Sequence, residues 1–331
     1  MEKSFNFCTI ITSNYIGYAQ VLHDSLLEFS PNSCLTVLIV DQNSSDPIRN
    51  TVLKSSIDCI YLDQILKSND TSLEFKNRII NYDINELRWS LKPTLLKNLV
   101  LDKLQPVIYL DVDLFFVNPF EFIFDYFDRA HFLLSPHFRS IEPTNSNTSF
   151  EKVFTQGFFN AGFVGATHHA ISILEWWESA CYFKCNKQVH LGYYDDQRYL
   201  DIIPHQFDHV AILNHQGCNI ASWNIDTCKR SCVNGSFLIN NELPIVFIHF
   251  SRDTCEQIIF GSDNILRPLL NKYAACIDHY NPAISFISNI IEVHEKKVVA
   301  YYKKLEKYSI LKSLFNSFAW PIRKSFYKST I

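Results

Sequence analysis

Residues 107–117, VIYLDVDLFFV, set two aspartates inside an apolar run. Val107 to Leu110 lead in, Leu114 to Val117 lead out, and Pro106 and Pro119 bracket the whole. A short apolar run between prolines predicts a strand buried on both faces, the kind found inside a parallel sheet. Two ionised carboxylates are costly to bury there unless positive charge meets them. In an extended backbone residues i and i+2 face the same side, so Asp111 and Asp113 converge on one spot. Convergent carboxylates at a strand end suit a hard divalent cation with oxygen ligands, Mg2+ or Mn2+. The competing reading is a turn whose aspartates accept backbone N–H bonds.

The flanking segments alternate between strand and helix patterns. Phe5 to Ile11 predicts a first strand, with Thr12-Ser13-Asn14-Tyr15 as the turn at its carboxyl end. Gly17 to Phe29 carries a helical apolar stripe (Ala19, Val21, Leu22, Leu26, Phe29) that Ser30-Pro31 stops. Leu35 to Val40 predicts a second strand ending at Asp41, and Ile57 to Leu62 a third. Strand, helix, strand with short connections implies a βαβ unit, in which ligands sit outside the carboxyl ends of the strands. Asn14, Tyr15, Asp41 and the Asp111/Asp113 pair all fall at such ends.

Further along, Glu86 to Leu101 reads as helical with a break at Pro93, and Lys92 at the break reads, by itself, as a solvated lysine. In Gly157 to Phe163, two glycines and Asn160 thread through aromatics, a pattern for close backbone approach or for a bulged strand. Ala170 to Phe183 is a predicted helix bearing Trp176 and Trp177, and Asp195, Asp196 and Gln197 open another. Leu243 to Phe250 predicts a final buried strand, with His249 near its end as a core residue or a ligand.

With 47% hydrophobic and 19% charged residues over 331 positions, the chain can bury a large core and is not disordered. A formal charge of −4 gives no reason to expect nucleic acid. Met1-Glu2-Lys3 runs straight into an apolar strand with no export pattern, so the ten cysteines read as reduced thiols of a cytoplasmic protein. The pairs Cys181/Cys185 and Cys228/Cys232 have a spacing that two zinc-binding pairs can use, but the first lies on a predicted helix.

Six of these segments, in order, resemble the GT-A-fold nucleotide-sugar glycosyltransferases, in particular the retaining family 8 that includes glycogenin and bacterial lipopolysaccharide glycosyltransferases. They are the SNY turn (13–15), LKP (91–93), YLDVD (109–113), FNAGF (159–163), DDQ (195–197) and the HF pair (249–250). HQGCNIASWN (215–224) also looks like a segment near the active cleft of small bacterial members. The resemblance covers roughly residues 5 to 255. It implies an α/β fold with a mostly parallel central sheet flanked by helices and a catalytic domain over 1–280; the basic, aromatic sequence of 281–331 itself predicts a helical tail. The resemblance further implies a metal held by Asp111, Asp113 and His249, and a UDP-sugar donor held by Thr12, Asn14, Tyr15, Asp41, Lys92, Asp111, Asn160 and Asn224. Asp196 and Gln197 would face the anomeric carbon. The family's lysine after the histidine is absent; Arg252 is the substitute charge.

Two other classes compete. A phosphohydrolase would use Asp111 as nucleophile, but Phe115 stands where that pattern wants Thr or Val. A sugar-nucleotide-binding protein without activity would share the fold. The acceptor, a glycan or a glycolipid, is not legible. Between Lys296 and Ile331 there are nine Lys/Arg against one acid, Glu306, interleaved with aromatics. Val298, Tyr302, Leu305 and Tyr308 make one stripe, a pattern suited to peripheral contact with an anionic membrane.

Overall fold

The computed structural model describes residues 4–45, 57–68, 81–143, 148–261, 263–283 and 285–304. The chain divides into two units, Met1–Pro282 and Ala283–Ile331.

The first unit begins with β1 (Phe5–Ile11), α1 (Ile16–Phe29), β2 (Ser33–Ile39), β3 (Ile57–Tyr61) and α2 (Leu62–Ser68). Next come α3 (Ile84–Ser90), α4 (Lys92–Lys103), β4 (Val107–Leu110), β5 (Leu114–Phe116) and β6 (Phe132–Pro136). Then follow α5 (Thr148–Gln156), β7 (Phe159–Ala166), α6 (Ile171–Phe183), the short α7 (Ile203–Gln206) and β8 (Val210–Ile212). The hairpin strands β9 (Arg230–Val233), β10 (Ser236–Ile239) and β11 (Leu243–Pro244) precede β12 (Phe247–His249), α8 (Arg252–Phe260) and α9 (Arg267–Tyr280).

Seven strands form one sheet in the order β3-β2-β1-β4-β7-β6-β8. β1 runs parallel to β2 and β4, β2 to β3, and β6 to β8, while β7 is antiparallel to both its neighbours. This is the mostly parallel α/β architecture expected from the sequence. All seven residues of β1 are buried, as a strand covered on both faces requires. On one face Leu87, Leu95 and Leu99 pack with Trp177 and Leu174. On the other, Leu22 and Leu26 of α1 meet Phe7, Phe116, Phe120, Phe163 and Phe247. Phe163 and Phe247 stack with centroids 5.4 Å apart and planes 8° from parallel.

Two expected strands are divided in the structure. The run 107–117 is cut at Asp111-Val112-Asp113, where Leu114 N donates to Asp111 O over 3.1 Å and closes a turn. β4 stays in the large sheet, whereas β5 leaves it to pair antiparallel with β12. The apolar pattern continues because both halves are buried, but in different sheets. Likewise 243–250 is divided into β11 and β12; Pro244 pairs at a sheet edge, where a missing N–H costs nothing. The helical stretch 86–101 breaks where Pro93 predicts, α4 starting with that proline in its first turn. α3 is started by a capping box between Asp83 and Glu86.

The second unit contains a helix over 286–304, on which Val298, Val299, Tyr301 and Tyr302 are exposed. Leu305, Tyr308 and the remaining basic and aromatic residues of the tail lie outside the described residues. No described helix is long and apolar enough to cross a membrane.

Candidate active site

The turn that divides 107–117 lies at the carboxyl end of β4, and β12 delivers His249 beside it. Single donor atoms of Asp111, Asp113 and His249 all lie within 4.8 Å of one another, the one such cluster among the described residues. The backbone fixes this arrangement: Asp111 N donates to Gly162 O (2.8 Å), Phe250 N to Asp113 O (2.9 Å) and His249 N to Ile220 O (2.9 Å). His249 Nε2 is 3.1 Å from Asp113 Oδ1. Its Nδ1 is 3.4 Å from Asn219 Oδ1, and the edge of Trp223 lies against the ring at 5.1 Å. A proton on Nδ1 facing Asn219 leaves Nε2 free to ligate.

Asp113 and His249 also pair electrostatically. Burial opposes charge on Asp113 and on His249, yet the pairing outweighs it, holding the carboxyl below and the imidazole above its ordinary range. Tyr109 donates its hydroxyl to Asp111 Oδ1 over 2.9 Å. Gly162 closes the floor: a Cβ there would sit 2.7 Å from Asp111 Oδ2, Asn160 Oδ1 and His249 Cε1. Two carboxylates and one imidazole with room kept by a glycine fit a divalent cation such as Mn2+ or Mg2+. Gly162→Ala should therefore displace at least one of these groups and weaken Mn2+ binding about tenfold or more. Titration with Mn2+, followed by electron paramagnetic resonance, checks this; unchanged affinity would mean that these groups do not form the site.

Lys92 is not a solvated lysine. It is 3% exposed, with Nζ 3.4 Å from Asp111 Oδ1, 3.2 Å from Asp196 Oδ2 and 3.0 Å from Ala161 O. The break before Pro93 aims the first residue of α4 into the cleft. Burial opposes its charge, but Asp111, Asp196 and Asp195 together hold the ammonium above its ordinary range. Burial pushes the Asp196 carboxyl up to about 7, against the pull of Lys92. Asp196 is fixed from behind by Trp177, whose Nε1 donates to its carbonyl over 3.0 Å. Gln197 turns its amide oxygen toward Asn160 Nδ2 (3.4 Å) and Ala161 N (3.3 Å), and its Nε2 donates to Gln156 O (2.8 Å).

Thr12, Asn14, Tyr15 and Asp41 gather at the ends of β1 and β2. Ser13 donates to Asp41 through both N (2.8 Å) and Oγ (2.7 Å), so Asp41 shapes the turn that presents Asn14 and Tyr15. Arg88 lies over the Tyr15 ring at 5.5 Å. Tyr18 links this group to the metal cluster. Its hydroxyl pKa is pushed up to about 12 by burial and by Tyr15 and Asp113, with Arg252 opposing. Asn224 is fully buried, and its amide bonds Ala221 N (3.1 Å), Arg230 Nη2 (3.0 Å) and Asn219 O (2.9 Å). It shapes the 219–224 loop. His137, whose Nε2 is 3.4 Å from Asn160 Nδ2, is an addition that no motif in the sequence signals, whereas Tyr109, Asn219 and Trp223 lie inside segments 109–113 and 215–224 that the resemblance picks out without a role for them.

No protein-family model matches the chain. The protein YfnD of Bacillus subtilis (strain 168) is 30% identical over 255 residues, which cover 75% of this chain and 78% of YfnD. The chain belongs to the YfnD family. YfnF of the same organism is 26% identical over 259 residues, covering 74% of this chain and 80% of YfnF. YfnD and YfnF are both described as uncharacterized proteins. Among solved structures, this YfnD-family chain is similar to the galactosyltransferase LgtC bound to donor and acceptor sugar analogues. The identity is 16% and the TM-score 0.43, covering 80% of this chain and 94% of that one. Mouse xyloside xylosyltransferase 1, in its apo form, is similar at 14% identity and a TM-score of 0.45, covering 76% of this chain and 99% of that one.

Proposed function

We propose that this chain is a metal-dependent glycosyltransferase that moves a sugar, with retention, from a UDP-sugar to a glycan or lipid-linked acceptor. The observation that carries this reading is the Asp111/Asp113/His249 cluster, formed where the carboxyl end of β4 meets β12, beside the buried Lys92–Asp196 pair. A divalent ion held by these three side chains supplies Lewis-acid charge for the departing diphosphate oxygen. Asp111 and Asp113 contribute carboxylate oxygens and His249 contributes Nε2. The Lys92 ammonium, fixed between Asp111 and Asp196, adds positive charge on the donor side of the cleft. Asp196 and the oxygen of Gln197 face the sugar, where developing positive charge at the anomeric carbon favours fixed oxygens. Asn160 orients Gln197 and lines the same pocket. Arg252, at the start of α8, supplies positive charge near the diphosphate.

A panel of nucleotide sugars tests the reading: UDP release should require Mn2+ or Mg2+ and stop with EDTA. The anomeric configuration of the product, read by NMR, tests retention. A binding protein without activity would release nothing, and a phosphohydrolase would release phosphate from simple esters instead.

The uracil is assigned to Tyr15, presented by the Ser13–Asp41 turn. A stacked aromatic ring contributes about 1–3 kcal/mol per base. Tyr15→Ala should weaken UDP binding about tenfold by calorimetry with Mn2+ present. Equal affinity in both proteins would remove the assignment.

The basic tail belongs to the same proposal. A lipid-linked acceptor lies at a bilayer, and each basic residue near an anionic surface contributes about 1 kcal/mol. The full chain should sediment with anionic liposomes at low salt, and a truncation after Glu295 should not. Equal recovery in the soluble fraction would contradict membrane contact.

A further inference from the structure

A second cavity, of about 460 Å3, opens where β6 ends and β7 begins. Pro136, Phe138, Val153, Phe158 and Phe159 give it mostly apolar walls, and Arg139 is the one cation among its lining residues. Its size is that of a site for one or two sugar rings, and its aromatic walls suit their C–H faces.

The cavity is joined to the candidate active site by a short series of bonds. Arg139 Nη2 donates to Gln156 Oε1 over 2.5 Å, Gln156 O accepts from Gln197 Nε2, and Gln197 Oε1 faces Asn160 Nδ2. Phe159, in the wall, directly precedes Asn160. Asp201, also in the wall, ends the 3-10 helix that Gln197 begins. A ligand here therefore lies next to the groups assigned to the donor sugar.

Arg139 is the feature that specifies the ligand. It is 9% exposed, and its Nε and Nη1 are buried without a hydrogen-bond partner among the described residues. No described carboxylate pairs with it. Asp201 lines the same cavity, but its carboxylate already accepts from Phe158 N (3.0 Å) and pairs with Arg198. Burial pushes the Arg139 guanidinium down to about 10, as expected for a desolvated cation lacking a counter-charge. A buried guanidinium with unused N–H groups on Nε and Nη1 can meet a planar or tetrahedral anion, either of them acting with the second N–H of Nη2 in a bidentate contact.

We propose that this cavity holds the acceptor, and that the acceptor carries a carboxylate or phosphate group that pairs with Arg139. The word acceptor rests on the glycosyltransferase reading; the anion site rests on the cavity and Arg139 alone.

Calorimetry with EDTA present, so that phosphate has no metal to bind, tests this with phenyl β-glucuronide, phenyl phosphate and neutral phenyl β-glucoside. The wild-type chain should bind at least one anionic probe about tenfold or more tightly than the glucoside. Tighter glucuronide binding assigns a carboxylate, and tighter phosphate binding assigns a phosphate. Arg139→Gln should erase the preference and Arg139→Lys should keep part of it, with denaturant melts verifying that both fold. If no probe binds, if the glucoside binds as well as the anions, or if Arg139→Gln keeps the preference, the proposal is overturned. The wild-type comparison stands even if a variant fails to fold. Anion binding through Arg139 in a chain that turns over no nucleotide sugar would remove the glycosyltransferase reading and leave the anion site. Metal-dependent turnover without anion binding would do the reverse.

Discussion

Asp113→Asn should lower metal-dependent turnover of the nucleotide sugar by about a thousandfold or more while leaving the fold intact. The loss follows from the charge the site must hold: a bound divalent ion is worth several kcal/mol at the departing oxygen, and each 1.36 kcal/mol is about tenfold in rate. The fold should survive because the main-chain bond to this residue, Phe250 N to Asp113 O, does not use the side chain. His249 then loses the carboxylate that raises its pKa. A raised imidazole stabilises the folded state at low pH and loses that contribution as pH rises through the raised value. Without metal, the variant should thus differ from wild type mainly on the acid side. Turnover in Asp113→Asn near the wild-type rate, persisting with EDTA, would contradict the metal assignment.

Lys92→Met should cost stability as well as activity. Removing one partner of a buried ion pair leaves the other charge uncompensated, which costs about 3–5 kcal/mol. Here the orphan is Asp196, 1% exposed and already pushed up to about 7 by burial. Without Lys92 its pKa rises further. A carboxyl raised in the folded state contributes stability that is fully present below the ordinary carboxylate range and is lost as pH rises through the raised value. The deficit should therefore be small near pH 5 and large near pH 8. Urea denaturation at the two values checks it, and an equal deficit at both would show that Asp196 does not carry the buried charge. Lys92→Arg keeps the charge and should recover part of the stability but not the geometry of a single ammonium between two carboxylates.

The fold was largely legible because its signals are local. The apolar runs of β1, β2 and β4 predict buried strands, and Ser30-Pro31 and Pro93 punctuate the helices where the structure shows breaks. The division of 107–117 was not legible, because hydrophobicity reports burial and not which sheet does the burying. Only the pairing of Leu114–Phe116 with Phe247–His249 shows that the chain changes sheets at Asp113. The aspartates still converge, through a turn and not through strand alternation.

Within the site, Asp111, Asp113 and His249 could be named from sequence because motif order places them. Taken by itself Lys92 reads as a surface residue, since nothing local reveals that the start of α4 points inward; only the LKP resemblance draws it toward the site. Asn219 acts through a left-handed backbone at φ 59° and one contact to His249, and neither leaves a pattern in spacing. Asn224 was assigned to substrate through its neighbours in 215–224, yet its amide is used to hold that loop. Arg139 carries no motif; only its burial with Nε and Nη1 unused and no described carboxylate paired with it singles it out.

The most direct test of the metal-centred reading is anomalous scattering from crystals grown with Mn2+ and UDP. The expected result is one strong manganese peak about 2.0–2.3 Å from oxygens of Asp111 and Asp113 and from His249 Nε2, with the diphosphate completing its shell. A peak elsewhere, or UDP bound at the β1 turn with no manganese between these three residues, would contradict it.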